Sequence, residues 1–115
     1  MHEMSYMIRM VSLASEVAKE NKAEKVESIV VEVGKGSGVM PYYMHKYFPE
    51  ASKGTVIEGA ELVCEEVPVT ALCEECGREY EPSRDNDYLC PFCNGRKAHI
   101  IAGKDVILKN VIIRE

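Results

Sequence analysis

Residues 73–93 read CEECGREYEPSRDNDYLCPFC, a segment bounded by Cys73-Glu74-Glu75-Cys76 and Cys90-Pro91-Phe92-Cys93. Thirteen residues separate the doublets. Each doublet is a bidentate thiolate clamp, and two clamps complete the tetrahedral four-sulfur shell that zinc prefers. Gly77 after the first doublet and Pro91 inside the second suit tight knuckle turns, as in a zinc ribbon. Two disulfides, a redox pair or an iron–sulfur cluster use the same residue type, although a redox pair needs one doublet only. A closed four-sulfur site leaves no position for substrate, so its expected role is structural.

Working outward, the stretch from Thr70 to about Arg96 is polar and turn-rich, and too short to bury much core. Its stability must come from the metal. Asp105–Ile113 (DVILKNVII) beyond it is a strongly apolar strand that needs a sheet to join. Upstream, Val26–Val33 and Glu61–Val67 read as strands rich in β-branched residues. Pro68 ends the second of these. Cys64 inside it has no cysteine neighbour and reads as a small buried hydrophobe.

Residues 4–20 read as an amphipathic helix, with Met4, Met7, Ile8, Val11, Ala14 and Ala18 recurring at steps of three and four. Its methionines read as core packing. Pro41–Phe48 reads as a short helix with proline in the first turn. Tyr42, Tyr43, Tyr47 and Phe48 are expected to pack on the sheet, and His45 to be a surface or packing residue. Gly34-Lys35-Gly36-Ser37-Gly38 lacks the GxxxxGK[ST] spacing of a phosphate-binding loop. It reads as a tight loop using positive φ. The expected fold is α/β (α+β): a small sheet with two helices and an inserted four-cysteine zinc-ribbon module. The boundaries are 1–69 and 102–115 for the α/β domain and 70–101 for the zinc-binding module.

The 115 residues suit one domain, or one with a small metal-stapled module. The net charge is −5. Neither that balance nor the sparse Lys/Arg near the cysteines suits nucleic acid. No run is long enough to span a bilayer, and the start lacks a signal-peptide pattern. The expected location is cytoplasmic, where paired cysteines hold metal more often than they form disulfides. A metal-dependent hydrolase would need an open three-ligand zinc site or an HExxH helix, and neither is visible. Asp85 and Asp87 read as solvated loop residues.

Met1-His2-Glu3 is a second metal motif. The terminal amine, the deprotonated His2 backbone nitrogen and His2 Nδ1 form fused chelate rings with three nitrogens nearly coplanar. The Glu3 amide nitrogen or a distant imidazole can supply the fourth donor. Such a square-planar field favours Ni(II) or Cu(II) over zinc. Taken alone, His2 is a frayed terminal residue.

The opening MHEMSYMIRMV resembles the MHE(L/M)S start of the HypA/HybF nickel-incorporation proteins. The stretch VEVGKGSGVMPYYMHKYFPEASKGTVIEGAEL at 31–62 is similar to that family's VG-x-x-SGV-x-P … GT … GA-x-L block. CEEC and CPFC match its zinc-ribbon doublets, and GKDVILKNVII at 103–113 matches its last strand. Tyr42-Tyr43-Met44-His45 is more aromatic than the family's usual sequence after Pro41, and Asp105-Val106 stands where Glu-Leu is common. The resemblance implies a nickel metallochaperone, not an enzyme. It implies nickel as cargo at Met1, His2 and Glu3, and structural zinc at Cys73, Cys76, Cys90 and Cys93. The implied partners are a hydrogenase-maturation GTPase and the precursor of the [NiFe]-hydrogenase large subunit, with no nucleic acid and no membrane, the chain acting as monomer or homodimer. His99, six residues after Cys93, is a candidate additional nickel ligand if the module swings toward the amino terminus; otherwise it is a solvated histidine. The rival readings are a zinc-stapled structural adaptor and a nucleic-acid-associated zinc-ribbon protein.

Overall fold

The computed structural model describes residues 3–113. Two helices and six strands follow the order α1 (Glu3–Glu20), β1 (Val26–Gly34), α2 (Pro41–Ser52), β2 (Glu61–Val67), β3 (Thr70–Cys73), β4 (Glu79–Tyr80), β5 (Ala98–Ala102) and β6 (Val106–Ile113). The strands form two three-stranded sheets, ordered β2-β1-β6 and β4-β3-β5. The fold is α+β, as expected, and the cysteine segment lies between β2 and β6.

β1 is central because both its faces are buried or half-covered along nearly its whole length. It runs parallel to β2 from Ser28↔Glu61 to Gly34↔Val67, with α2 as the crossover that a parallel pair needs. It runs antiparallel to β6 from Val26↔Ile113 to Val33↔Val106. Val30 faces Asn110 and Val31 faces Leu108, so Lys109 is the extra residue of a bulge.

Both helices cover one face of this sheet. Met7, Met10, Val11, Ala14 and Ala18 of α1 pack with Met44 and Phe48 of α2 and with Ile29, Val31, Val33, Leu62 and Val106 of the strands. Ile57, in the turn before β2, is fully buried in the same cluster. Ile8 shares the three-and-four spacing but is exposed, and Met10 takes the buried place instead. In α2 the buried apolar residues are Met44 and Phe48, with Ala51 packed partly buried against the same core. Tyr42 is exposed, and the Tyr43 and Tyr47 rings stack on each other 6.5 Å apart rather than on the sheet. The helix runs on past Phe48 through Pro49 to Ser52.

The glycines after β1 serve a purpose other than the positive φ expected of them. Only Gly38 of that loop has it, at +79°. A Cβ on Gly34 would collide with the backbone of Gly103, and one on Gly36 would lie 2.8 Å from Val69 Cγ2 and 3.0 Å from Gly103 O. Gly36 N–H donates to Gly103 O at 2.8 Å, and Gly34 N–H to Asp105 O at 2.9 Å. Gly103 itself has φ +88°, and a Cβ there would strike Pro68 O. Three backbone segments therefore meet without side chains between them where the two sheets join.

Candidate metal centre

Each cysteine doublet folds into a turn with the same pattern of hydrogen bonds. Cys73 N–H donates to Arg78 O and Gly77 N–H returns to Cys73 O, both at 2.9 Å. Cys90 N–H donates to Gly95 O at 3.2 Å and Asn94 N–H returns to Cys90 O at 2.8 Å. The returning residue is left-handed in both turns, Gly77 at φ +75° and Asn94 at φ +59°. Asparagine is among the residues that tolerate that region best, so the second turn closes without glycine. The Glu75 carboxylate links the turns by accepting from Arg96 N–H at 2.9 Å.

These turns bring Cys73, Cys76, Cys90 and Cys93 together with all four sulfurs within 4.8 Å of one another. Cys73 Sγ lies 3.6 Å from Cys93 Sγ, and Cys76 Sγ lies 3.6 Å from Cys90 Sγ. A disulfide would require about 2.05 Å. Tetrahedral zinc with bonds of about 2.3 Å requires sulfurs roughly 3.8 Å apart. The geometry is therefore that of a four-thiolate metal cage.

Electrostatics lead to the same conclusion. Cys76 N–H lies 3.4 Å from Cys73 Sγ. That hydrogen bond is the largest influence holding the Cys73 thiol down at about 7. Cys93 is pushed up to about 12: the Gly95 N–H favours its thiolate, but desolvation and hydrogen bonds to the other three sulfurs outweigh it. Four thiols this close cannot all lose their protons unless a cation shares the charge. Tyr80 completes the wall. It is buried with Ala71, Cys73 and Cys90, and its hydroxyl donates to Tyr88 O at 3.4 Å. Desolvation, then the neighbouring sulfurs, raise its phenol. Sequence reasoning missed Tyr80, although it is the sole aromatic residue between the first doublet and the loop at Arg84.

Met1 and His2 are outside the described residues. Glu3 opens α1 and is buried, and its carboxylate accepts from Met40 N–H at 3.1 Å. His99 stands on β5 opposite Leu72, exposed, with Nδ1 4.0 Å from Glu74 Oε2. Cys64 packs half-buried against the main core, and burial pushes its thiol up to about 11. Among the described residues the four cysteines form the sole cluster of three or more metal-ligating side chains.

Residues 1–113 match the family described as "Hydrogenase/urease nickel incorporation, metallochaperone, hypA". The chain belongs to the HypA family. It is 37% identical over 111 residues to hydrogenase maturation factor HypA of Picosynechococcus, covering 96% of this chain and 97% of that one. It is 38% identical over 111 residues to the factor of the same name from Aquifex aeolicus, covering 96% of each. Two solution structures share the fold at 24% identity. One, of HypA protein, has a TM-score of 0.78 and covers 99% of this chain and 97% of that chain. The other, of the Ni metallochaperone HypA from Helicobacter pylori, has a TM-score of 0.74 and covers 98% and 97%. As a HypA-family member the chain is a metallochaperone rather than an enzyme. No helix among its described residues is long and apolar enough to cross a membrane.

Proposed function

We propose that the chain carries Ni(II) at its amino terminus and helps deliver it to the precursor of the [NiFe]-hydrogenase large subunit, working with a maturation GTPase in the cytoplasm. The observation that carries this reading is a family match running from residue 1 to 113, through both the Met1-His2-Glu3 motif and the cysteine cage. The cage is the zinc site: Cys73, Cys76, Cys90 and Cys93 hold Zn2+, which when bound neutralises their thiolates and staples the module. With all four positions filled by sulfur, the cage offers no place for cargo.

Nickel binds instead through the Met1 amine, the His2 backbone nitrogen and Nδ1, and the Glu3 amide nitrogen, with His99 as an additional donor when the module swings inward. A ligand set on a chain end exchanges metal more readily than a closed cage, which is what delivery requires. Every donor must lose a proton or be neutral, so protons compete with nickel and affinity falls as pH drops below neutrality. Residues 1–69 and 102–115 form the nickel-carrying unit, and 70–101 the zinc module.

The test is nickel titration of the untagged, zinc-loaded chain beside His2→Ala, following stoichiometry and the visible spectrum. One nickel per chain, lost in the variant while zinc is retained, is the expected result. Binding indifferent to His2, or affinity flat from mildly acidic to mildly basic pH, overturns this ligand set. His99→Ala with nickel affinity and spectrum unchanged, alone and with the GTPase, removes His99 from it.

A further inference from the structure

The second cysteine turn contains a reactive dipeptide. Asn94-Gly95 is the one place where the sequence sets glycine after asparagine; Asn21, Asn86 and Asn110 precede Lys22, Asp87 and Val111. The side-chain amide of asparagine is an electrophile, and the backbone nitrogen of the next residue is its nearest nucleophile. Glycine in that place puts no Cβ in the way and leaves the backbone free to turn. The turn itself calls for this pair. Asn94 takes the left-handed position that Gly77 takes in the first turn. Gly95 is buried, and a Cβ there would strike the Glu75 carboxylate and lie 3.1 Å from Cys93 Sγ.

The closed turn also disarms the pair. Attack needs the Gly95 nitrogen on the same side of the Cα–C bond as Asn94 Cβ. A left-handed residue, with ψ of about +47°, holds that nitrogen on the opposite side. Hydrogen bonds fix this arrangement. Asn94 N–H donates to Cys90 O at 2.8 Å, Cys90 N–H to Gly95 O at 3.2 Å and Arg96 N–H to Glu75 Oε2 at 2.9 Å. The Gly95 N–H is itself engaged with Cys93 Sγ. These bonds depend on a turn that has little core of its own and is closed around the cage. Asn94 is exposed, so water reaches it once the turn opens.

We propose that Asn94-Gly95 is a site of spontaneous deamidation, shielded while the cage holds metal and open when the cage is empty. The proposal rests on the reading of the cage as the zinc site. In the open turn the Gly95 nitrogen bonds to Asn94 Cγ and gives its proton to water. The Cγ–Nδ2 bond breaks, and the amide nitrogen leaves as ammonia. Water then opens the five-membered imide at either carbonyl. One water is consumed and one ammonia released in sum, with no oxidant and no enzyme. Opening at one carbonyl gives aspartate. Opening at the other gives isoaspartate, which routes the main chain through Cβ and Cγ. The turn is then one carbon longer, and the bonds from Asn94 and Gly95 back to Cys90 cannot both close. A chain left empty too long loses its capacity to take up metal.

The test ages the untagged full chain at mildly basic pH, zinc-loaded or with a chelator, under reductant and without oxygen. Peptide mass spectrometry follows residue 94, and zinc stoichiometry is measured before ageing and after reloading. Deamidation at Asn94 should run at least about tenfold faster in the zinc-free chain, because the open turn is then the populated state. Chains carrying isoaspartate should fail to regain zinc. Asn94→Gly, which copies the first turn, should regain it in full after the same treatment. Equal rates with and without zinc overturn the proposal, as does an Asn94 that stays intact in the zinc-free chain. Equal loss of zinc uptake in Asn94→Gly also overturns it, since the damage then lies elsewhere, in the cysteines above all. A fresh chain that binds no zinc overturns the reading of the cage, and this proposal with it.

Discussion

The Glu3 carboxylate accepts the backbone N–H of Met40, 37 residues further along the chain, at 3.1 Å. Met40 is the residue from which α2 begins, and its side chain provides no cap. In a capping box a glutamate inside the helix bonds the N–H of the residue before it. Here a glutamate from another helix does so. Glu3→Ala strands that amide and should lower stability by about 1–3 kcal/mol, while Glu3→Gln, which keeps an acceptor, should lose less. Urea unfolding of the zinc-loaded protein measures both. Equal losses would mean that the acceptor oxygen is not what matters.

Zinc removal should dissolve the second sheet and spare the first. Ala71, Cys73, Tyr80 and Cys90 are the whole buried cluster of the β4-β3-β5 unit, and two of them are cysteines of the cage. Cys73→Ser, or a strong chelator, should abolish amide protection at Ala71 and Tyr80 while Ile29, Val31 and Met7 stay protected in hydrogen exchange. Simultaneous loss at both sets would show one cooperative unit instead of two. Zinc affinity should fall as pH falls, because each thiol must surrender a proton to bind.

Gly34→Ala should be far more harmful than an ordinary loop substitution. Its Cβ would meet the Gly103 backbone, which cannot rotate aside as a side chain can. The expected loss is about 2–4 kcal/mol by thermal unfolding, with Gly38→Ala, in open space but at positive φ, costing roughly 1 kcal/mol. Similar losses at the two sites would remove the close approach as the reason for glycine.

Cys64 should resist alkylation in the folded, zinc-loaded protein at mildly basic pH, because burial raises its thiol to about 11. The fold favours the neutral form. Its contribution to stability is fully present below the ordinary thiol value of 9.0 and is lost as pH rises through about 11. Rapid labelling at pH 8 that tracks free thiol reagent concentration would contradict the burial.

Much of this was legible in local spacing. Met7, Val11, Ala14 and Ala18 announce α1, and the cysteine doublets announce their own cage because each turn is closed within five residues. Features set by distant pairs were not legible. Ile8 has the same spacing as its neighbours, yet α2 and the sheet cover only part of the helix, so Met10 is buried and Ile8 is not. Tyr42 has the size and apolarity of a core residue but stands on the outer side of α2. The Glu3–Met40 hydrogen bond, the Tyr80 wall and the Gly34–Gly103 contact join residues with no sequence signal of each other. Met1 and His2 are the reverse case: their reading as nickel donors comes from sequence alone, and they lie outside the described residues.

The sheet order β2-β1-β6 also dictates a timetable. β1 is made early, yet it cannot acquire its second neighbour until the cysteine segment and β6 have both been synthesised. A nascent chain that has produced α1, β1, α2 and β2 holds a two-stranded sheet with one side of its central strand unpaired. Meanwhile the cysteine turns, closed by short-range contacts, need only the metal and β5 to form. Ribosome-bound chains ending just before β6 should therefore capture zinc yet leave β1 open to chaperones, so that loading of the cage precedes closure of the sheet beside it.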